Sequence, residues 1–154
     1  KILPTAKIIS ICNKLNKAVL LIGGPDDIER GDEISKASSA INTCGDYSLL
    51  QSAFLIKNSA YVISHDTGMM HIAAAFNKKI EAVWGNTHPD FGMFAYNGSV
   101  QHNFVTNHQV ALNCRPCSKL GSNKCPRGHF NCMNLQDSTK IAEDIEQRFL
   151  FSQK

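Results

Sequence analysis

His65-Asp66-Thr67-Gly68-Met69-Met70-His71-Ile72-Ala73-Ala74-Ala75 joins two kinds of local order. The apolar run Tyr61-Val62-Ile63 leads into it as a strand, and its alanine-rich end favours a helix. The turn between them carries a carboxylate, a hydroxyl, a glycine and an imidazole. A strand feeding directly into a helix N-terminus makes an anion site, because first-turn N–H groups lack intrahelical acceptors and the helix dipole is positive there. Gly68 lets an oxygen-rich ligand approach the backbone. Thr67 and His71 are four apart and share one side of the helix. The ligand that suits this chemistry is a phosphate or diphosphate, with Asp66 accepting from a sugar or ribose hydroxyl. Two plainer readings compete: Asp66 merely caps the helix, or His71 is a buried core histidine. Met69 and Met70 read first as packing residues.

Outward from this turn, strands alternate with helices. Pro4 to Leu15 is a helix with apolar Ile8, Ile9, Ile11, Cys12 and Leu15. Ala18-Val19-Leu20-Leu21-Ile22 is a buried parallel strand leaving into Gly23-Gly24-Pro25. Asp26 or Asp27 caps a polar helix through about Lys36, and Ala40–Thr43 is a weaker strand. Ser48 to Lys57 is a helix whose apolar side is Leu49, Leu50, Ala53, Phe54 and Ile56. Strand Tyr61–Ser64, helix Gly68–Phe76 and strand Ile80–Trp84 follow. Beyond Thr87 the periodicity fades, leaving Val100–Val105 as a further strand. Asp137 or Ser138 then caps a last helix with Ile141, Ile145, Phe149 and Leu150 as its stripe. This order predicts an α/β fold, a parallel sheet with helices on both faces that binds ligands beyond the carboxyl ends of its strands. The turn at 66–68, Gly23-Gly24 and Gly85-Asn86-Thr87 all fall at such ends.

With 154 residues, 43% hydrophobic and 19% charged, the chain has the composition of one soluble domain, and burying roughly two-thirds of its unfolded surface is within reach. A net charge of +3, with Lys and Arg scattered and no aromatic-basic stripe, argues against nucleic acid as a partner. No apolar run approaches the length of a membrane span, and no signal peptide is evident. The chain opens on Lys1 rather than Met, which reads as a segment of a longer protein.

Gly23-Gly24-Pro25-Asp26-Asp27 lacks the spacing of a dinucleotide fingerprint or a P-loop, so neither NAD nor Walker-type ATP binding is supported. Asp27 or Glu29 could reach a ribose, or could simply start a solvated helix. Cys12 and Cys44 read as small buried hydrophobes. Cys114, Cys117, Cys125 and Cys132 place four thiols within nineteen residues, with His129 nearby. Three states fit that spacing: a tetrahedral structural zinc, reduced thiols, or disulfides.

The segment D-T-G-M-M-H-I-A-A-A from Asp66, followed by V-W-G-N-T-H-P-D-F-G-M from Val83, resembles glycosyltransferase family 9, the ADP-heptose:lipopolysaccharide heptosyltransferases and their relatives. Lys1-Ile2-Leu3-Pro4, Val19–Gly24, C-R-P-C from Cys114 and C-P-R-G-H-F-N-C-M from Cys125 are similar to further segments of that family, so the likeness covers nearly the whole chain. It implies a two-domain GT-B enzyme, of which residues 1–154 resemble the C-terminal, Rossmann-like doubly wound domain that holds the nucleotide-sugar donor. That domain includes the Cys-rich loop 114–132 and the helix at about 138–150.

By the same resemblance Asp66, Thr67, Gly68, Met69 and His71 form the donor turn. Gly23 and Gly24 follow the domain's first strand, Lys1 is a phosphate-binding lysine, and Asp27 or Glu29 is the ribose acid. Ala95 stands where the family pattern has a proline. The implied donor is ADP-heptose-like and the acceptor a lipopolysaccharide core or other lipid-linked sugar. Transfer is inverting, needs no cofactor, and takes place at the cytoplasmic side of the membrane. The catalytic base is an Asp of the N-terminal domain, so this chain alone is expected to bind donor without transferring sugar. The chain has no D-x-D pair for metal-assisted departure. Two alternatives are a GT-B transferase or epimerase using a UDP or GDP sugar, and a non-catalytic zinc-stabilised module for RNA or protein.

Overall fold

The computed structural model describes residues 2–98 and 104–151. They fall into two compact units: residues up to Leu3 with Leu55–Gln136, and Pro4–Phe54 with the segment from Asp137 onward.

In the Pro4–Phe54 unit, α1 (Thr5–Lys14) starts after Pro4, which has no N–H to leave unpaired and whose carbonyl accepts from Lys7 at 2.9 Å. Strand β1 (Leu20–Leu21) pairs in parallel with β2 (Ile41–Asn42). β1 is shorter than the apolar run Ala18–Ile22, since β2 ladders over only two residues. Backbone bonds from Ile41 to Val19 and from Thr43 to Leu21 extend the contact on either side. Between the strands lies α2 (Ile28–Lys36). Cys12, Ile34 and Ala40 form a small core with Ile8, Ile9, Val19 and Leu21 packed on it, so Cys12 is the buried hydrophobe its neighbours suggested. The last helix, α6 (Ser138–Phe151), packs along α1. Its cap is Asp137, whose Oδ1 accepts from the N–H groups of Thr139 at 2.9 Å and Lys140 at 3.0 Å.

Helix α3 (Leu49–Asn58) departs from its expected orientation. Ser52 and Ile56, four residues apart, are buried, whereas Leu50 is 83% and Phe54 66% exposed. Two positions of offset is about half a turn, so Leu50 and Phe54 point away from the inward stripe. The apolar count along this helix overstated what it buries.

The other unit is a three-stranded parallel sheet of β3 (Tyr61–His65), β4 (Lys79–Trp84) and β5 (Val105–Gln109), in that order. Helix α4 (Gly68–Ala75) crosses from β3 to β4 and turns Met70, Ala73 and Ala74 completely inward; the two small alanines let the helix approach β4 closely. β4 is the central strand and is buried from Ile80 to Trp84. β5 starts where the expected strand Val100–Val105 ends, and residues 100–103 of that expectation lie outside the described residues. Its sequence V-T-N-H-Q reads as loop because it is polar. Two of its polar side chains are nevertheless paired across the ladder: His108 Nε2 lies 2.7 Å from Glu81 Oε2, and Asn107 Oδ1 accepts from the Trp84 indole at 2.7 Å. After β5 the chain is irregular up to the short α5 (Asn131–Asn134), which follows the left-handed Phe130.

Candidate functional site

β3 ends at His65, whose Nε2 accepts from the Leu3 N–H at 3.0 Å. Asp66 and an extended Thr67 then turn the chain into α4, with Thr67 in the N-cap position. Thr67 Oγ1 lies 3.2 Å from Ser64 Oγ, which itself donates to the His65 carbonyl, so the threonine hydroxyl is tied to the strand end. Thr67 and Gly68 are exposed, Met69 is half-buried, Met70 is buried, and His71 is exposed one turn on. A Cβ built on Gly68 meets no atom within 4 Å. The helix N-terminus therefore opens to solvent, and His71 is not a core histidine.

Asp66 does not occupy the cap position. It is 8% exposed, and its Oδ2 accepts from Thr87 Oγ1 at 2.9 Å. Thr87 lies just beyond β4 and is fully buried. The Thr87 carbonyl accepts from Arg115 Nη2 at 3.0 Å, and Arg115 also donates to the Val110 carbonyl at 2.8 Å and to Gln109 Oε1 at 3.2 Å. Asp66, Thr87 and Arg115 thus link the segments following β3, β4 and β5. Thr87 is placed at a strand end by the sequence but without this role, and Arg115, inside C-R-P-C, is not singled out there; their bonds to the turn join segments too far apart in sequence to be read from it. Beside them, Asn86 donates to the Ser122 carbonyl at 2.8 Å and its own carbonyl accepts from Cys117 and Ser118.

Gly23, Gly24, Asp27 and Glu29 lie together in the Pro4–Phe54 unit. Asp27 Oδ2 accepts from the Gly24 N–H at 3.0 Å. A Cβ on Gly23 would lie 2.7 Å from that carboxylate oxygen and 2.9 Å from Cys44 Sγ, so the turn requires glycine there. Of the two acids considered for a ribose, Asp27 is committed to its own turn, while Glu29 is exposed on the first turn of α2. Lys1 lies outside the described residues.

Cys114, Cys117, Cys125 and Cys132 share the region after β5, and none of the six cysteines is joined in a disulfide. Burial pushes the Cys117 thiol up, and so do the neighbouring Cys114, Cys132 and Cys125. Burial likewise raises Cys132. Cys125 moves the other way, drawn down by backbone N–H groups of Phe130 above all, then of Arg127, His129 and Gly128. His129 Nε2 lies 3.9 Å from Cys114 Sγ. Burial lowers the Arg115 guanidinium from its ordinary value, against the opposing pull of Cys132, Cys117 and Cys114.

Residues 4–124 match the family model of glycosyltransferase family 9 (heptosyltransferase). The chain belongs to that family. Lipooligosaccharide heptosyltransferase 2 of Haemophilus influenzae is 34% identical over 92 residues, 56% of this chain and 27% of that protein. Lipopolysaccharide heptosyltransferase 2 of Escherichia coli is 35% identical over 79 residues, 47% of this chain and 23% of that protein. Each alignment thus takes in about a quarter of the relative's length. Among solved structures, the family 9 glycosyl transferase from Veillonella parvula matches with a TM-score of 0.71 at 18% identity, covering 96% of this chain and 41% of that one. ADP-heptose lps heptosyltransferase II of E. coli gives 0.59 at 20% identity, covering 93% and 42%. These likenesses show that this family 9 chain has the α/β fold expected from its alternating elements, in the Rossmann-like form that the family resemblance implies. Among its described residues, no helix is long and apolar enough to cross a membrane.

Proposed function

We propose that this chain is the donor-binding half of a two-domain lipopolysaccharide heptosyltransferase that takes an ADP-heptose-like nucleotide sugar. The observation that carries the reading is the solvent-open N-terminus of α4, with Thr67, Gly68 and His71 exposed around it. In a sugar transfer the bond to the diphosphate breaks, and the departing group must be stabilised as its charge grows. First-turn amides of α4 supply fixed donors for that charge, the Thr67 hydroxyl holds the cap against Ser64, and His71 supplies a cation when protonated. Gly68 keeps the approach clear, and Met69 lines its edge. Asp66 acts by position: through Thr87 it anchors the turn to the end of β4. The base that deprotonates the acceptor hydroxyl belongs, on this reading, to the other half of the enzyme. Transfer then inverts the sugar and delivers it to a lipid-linked core at the cytoplasmic face of the membrane, where the whole enzyme works as a peripheral protein.

Thermal unfolding of the chain with ADP, UDP, GDP or an RNA oligomer tests this. The expected result is stabilisation by ADP above UDP and GDP, and none by RNA. A larger shift with UDP or GDP would replace the donor base. A flat response to all three nucleotides would remove the donor-binding reading, and sugar transfer by this chain alone would refute the placement of the base.

A further inference from the structure

The segment after Thr87 carries side chains that diphosphate binding does not use. Thr87, bonded to Asp66, is followed at once by His88, Pro89, Asp90 and Phe91. Consecutive Cα atoms are about 3.8 Å apart, so His88 starts one residue from the group that anchors the turn before α4. Thr87 and Pro89 are buried, and between them the His88 ring is partly exposed. Pro89–Phe91 form one 3₁₀ turn, in which the Phe91 N–H donates to the His88 carbonyl at 3.2 Å. Gly92, left-handed at φ 82°, closes it with a bond from its N–H to the Pro89 carbonyl at 3.1 Å. With φ fixed at Pro89 and both ends bonded, the turn holds its side chains in place before a ligand arrives.

Three of those side chains differ in chemistry and stand together. His88 Nδ1 accepts from the Asp90 N–H at 3.3 Å, and Asp90 Oδ2 lies 3.3 Å from the same nitrogen. With Nδ1 accepting, a neutral ring carries its proton on Nε2, and a protonated ring carries one there too. No described residue bonds to Nε2, which leaves an oriented N–H group for a ligand. The Asp90 side chain is 82% exposed, so its carboxylate is an acceptor open to solvent. Phe91 is 39% exposed, and its ring meets the His88 ring edge to face, with centroids 6.4 Å apart and planes at 64°. An N–H, a carboxylate and an apolar face side by side suit a ligand with hydroxyls at its edge and C–H groups on its face, which is a sugar ring. A phosphate fits poorly, since it would meet the Asp90 charge. A planar base fits poorly too, because rings at 64° make a step and not a slot.

We propose that His88, Asp90 and Phe91 form the subsite for the sugar ring of the nucleotide sugar. The proposal rests on the reading that the N-terminus of α4 receives the diphosphate. The sugar is joined to that diphosphate, and the Asp66–Thr87 bond sets the 88–91 turn beside it. The His88 Nε2–H donates to one sugar hydroxyl, the Asp90 carboxylate accepts from another, and Phe91 covers the C–H face. These residues bind and orient the sugar; they make and break no bond.

Calorimetric titration of the chain with ADP and with ADP-heptose tests this. His88→Asn keeps a side-chain acceptor for the Asp90 N–H, so the turn is preserved, but removes the Nε2–H. It should weaken ADP-heptose about tenfold while ADP changes less than about twofold. Phe91→Ala should show the same selectivity for the sugar-bearing ligand. If His88→Asn does not fold, Phe91→Ala, a change at an exposed side chain, makes the comparison alone. Binding of neither ligand by the unaltered chain would remove the diphosphate reading and the subsite with it. Firm ADP binding by the unaltered chain, with both ligands weakened equally in the variants, would assign these residues to the nucleotide or to the fold and overturn the subsite alone. ADP-heptose affinity unchanged in both variants would overturn it as well.

Discussion

Thr87 and Asp66 are 21 positions apart and meet through one buried hydrogen bond of 2.9 Å. Thr87→Val keeps the shape and removes the donor, so a buried carboxylate oxygen loses this hydrogen bond. The expected cost is about 1–3 kcal/mol in urea unfolding, with Thr87→Ser close to the parent. A Val variant as stable as the parent would show that Asp66 does not depend on this bond. Gly68 offers the opposite test. Its Cβ position is open and its backbone is not left-handed, so Gly68→Val should change stability by less than ~1 kcal/mol. A branched side chain there obstructs the amides, and ADP affinity should fall at least about tenfold, near 1.4 kcal/mol. Calorimetric titration measures both proteins; unchanged affinity would separate Gly68 from the ligand.

At the scale of elements, Gly31 sits inside α2 although alanine is the better helix former. A Cβ there would collide with the Asn42 side chain. That amide donates to the Ile28 carbonyl and to Asp32 Oδ1, and its oxygen accepts from the Cys44 N–H at 3.0 Å. Gly31→Ala gains about 1 kcal/mol in propensity and loses more through the clash and these bonds, so net destabilisation of about 1–2 kcal/mol is expected in urea unfolding. A stabilised variant would mean that Asn42 moves aside freely. The α6 cap has a pH signature. N–H groups of Lys140 and Thr139 hold the Asp137 carboxyl below its usual range. A carboxyl depressed on folding stabilises above its unfolded pKa, and that gain disappears as pH falls through the lower, folded value. The stability gap between the parent and Asp137→Ala, about 1 kcal/mol, should be complete at neutral pH and shrink on acidification below about pH 4. A gap independent of pH would exclude a charged cap.

Elements were legible where one rule governed them. β4 is legible as an apolar run because the central strand is covered on both faces, β3 from its start Tyr61-Val62-Ile63, and α4 from its alanines. β5 was not legible, because the acceptability of His108 depends on Glu81, 27 positions earlier. Leu50 and Phe54 on α3 misled in the other direction, since a count of apolar residues does not say which side a helix turns inward.

For the molecule as a whole, the alternation of strands and helices was enough to indicate an α/β fold with a parallel sheet, the family resemblance implied its Rossmann-like form, and the solved relatives agree with both. The candidate site divides along the same line. Residues 66–71 are contiguous, so their chemistry could be read directly; the supports of that turn, Thr87 and Arg115, come from distant loops and needed coordinates. The central claim is that the N-terminus of α4 receives a nucleoside diphosphate. Amide resonances of the isotopically labelled chain, followed through a titration with ADP, test it most directly. The account predicts saturable shifts at Gly68, Met69, Met70 and His71; ADP that saturates the chain while leaving those four amides unmoved would contradict it.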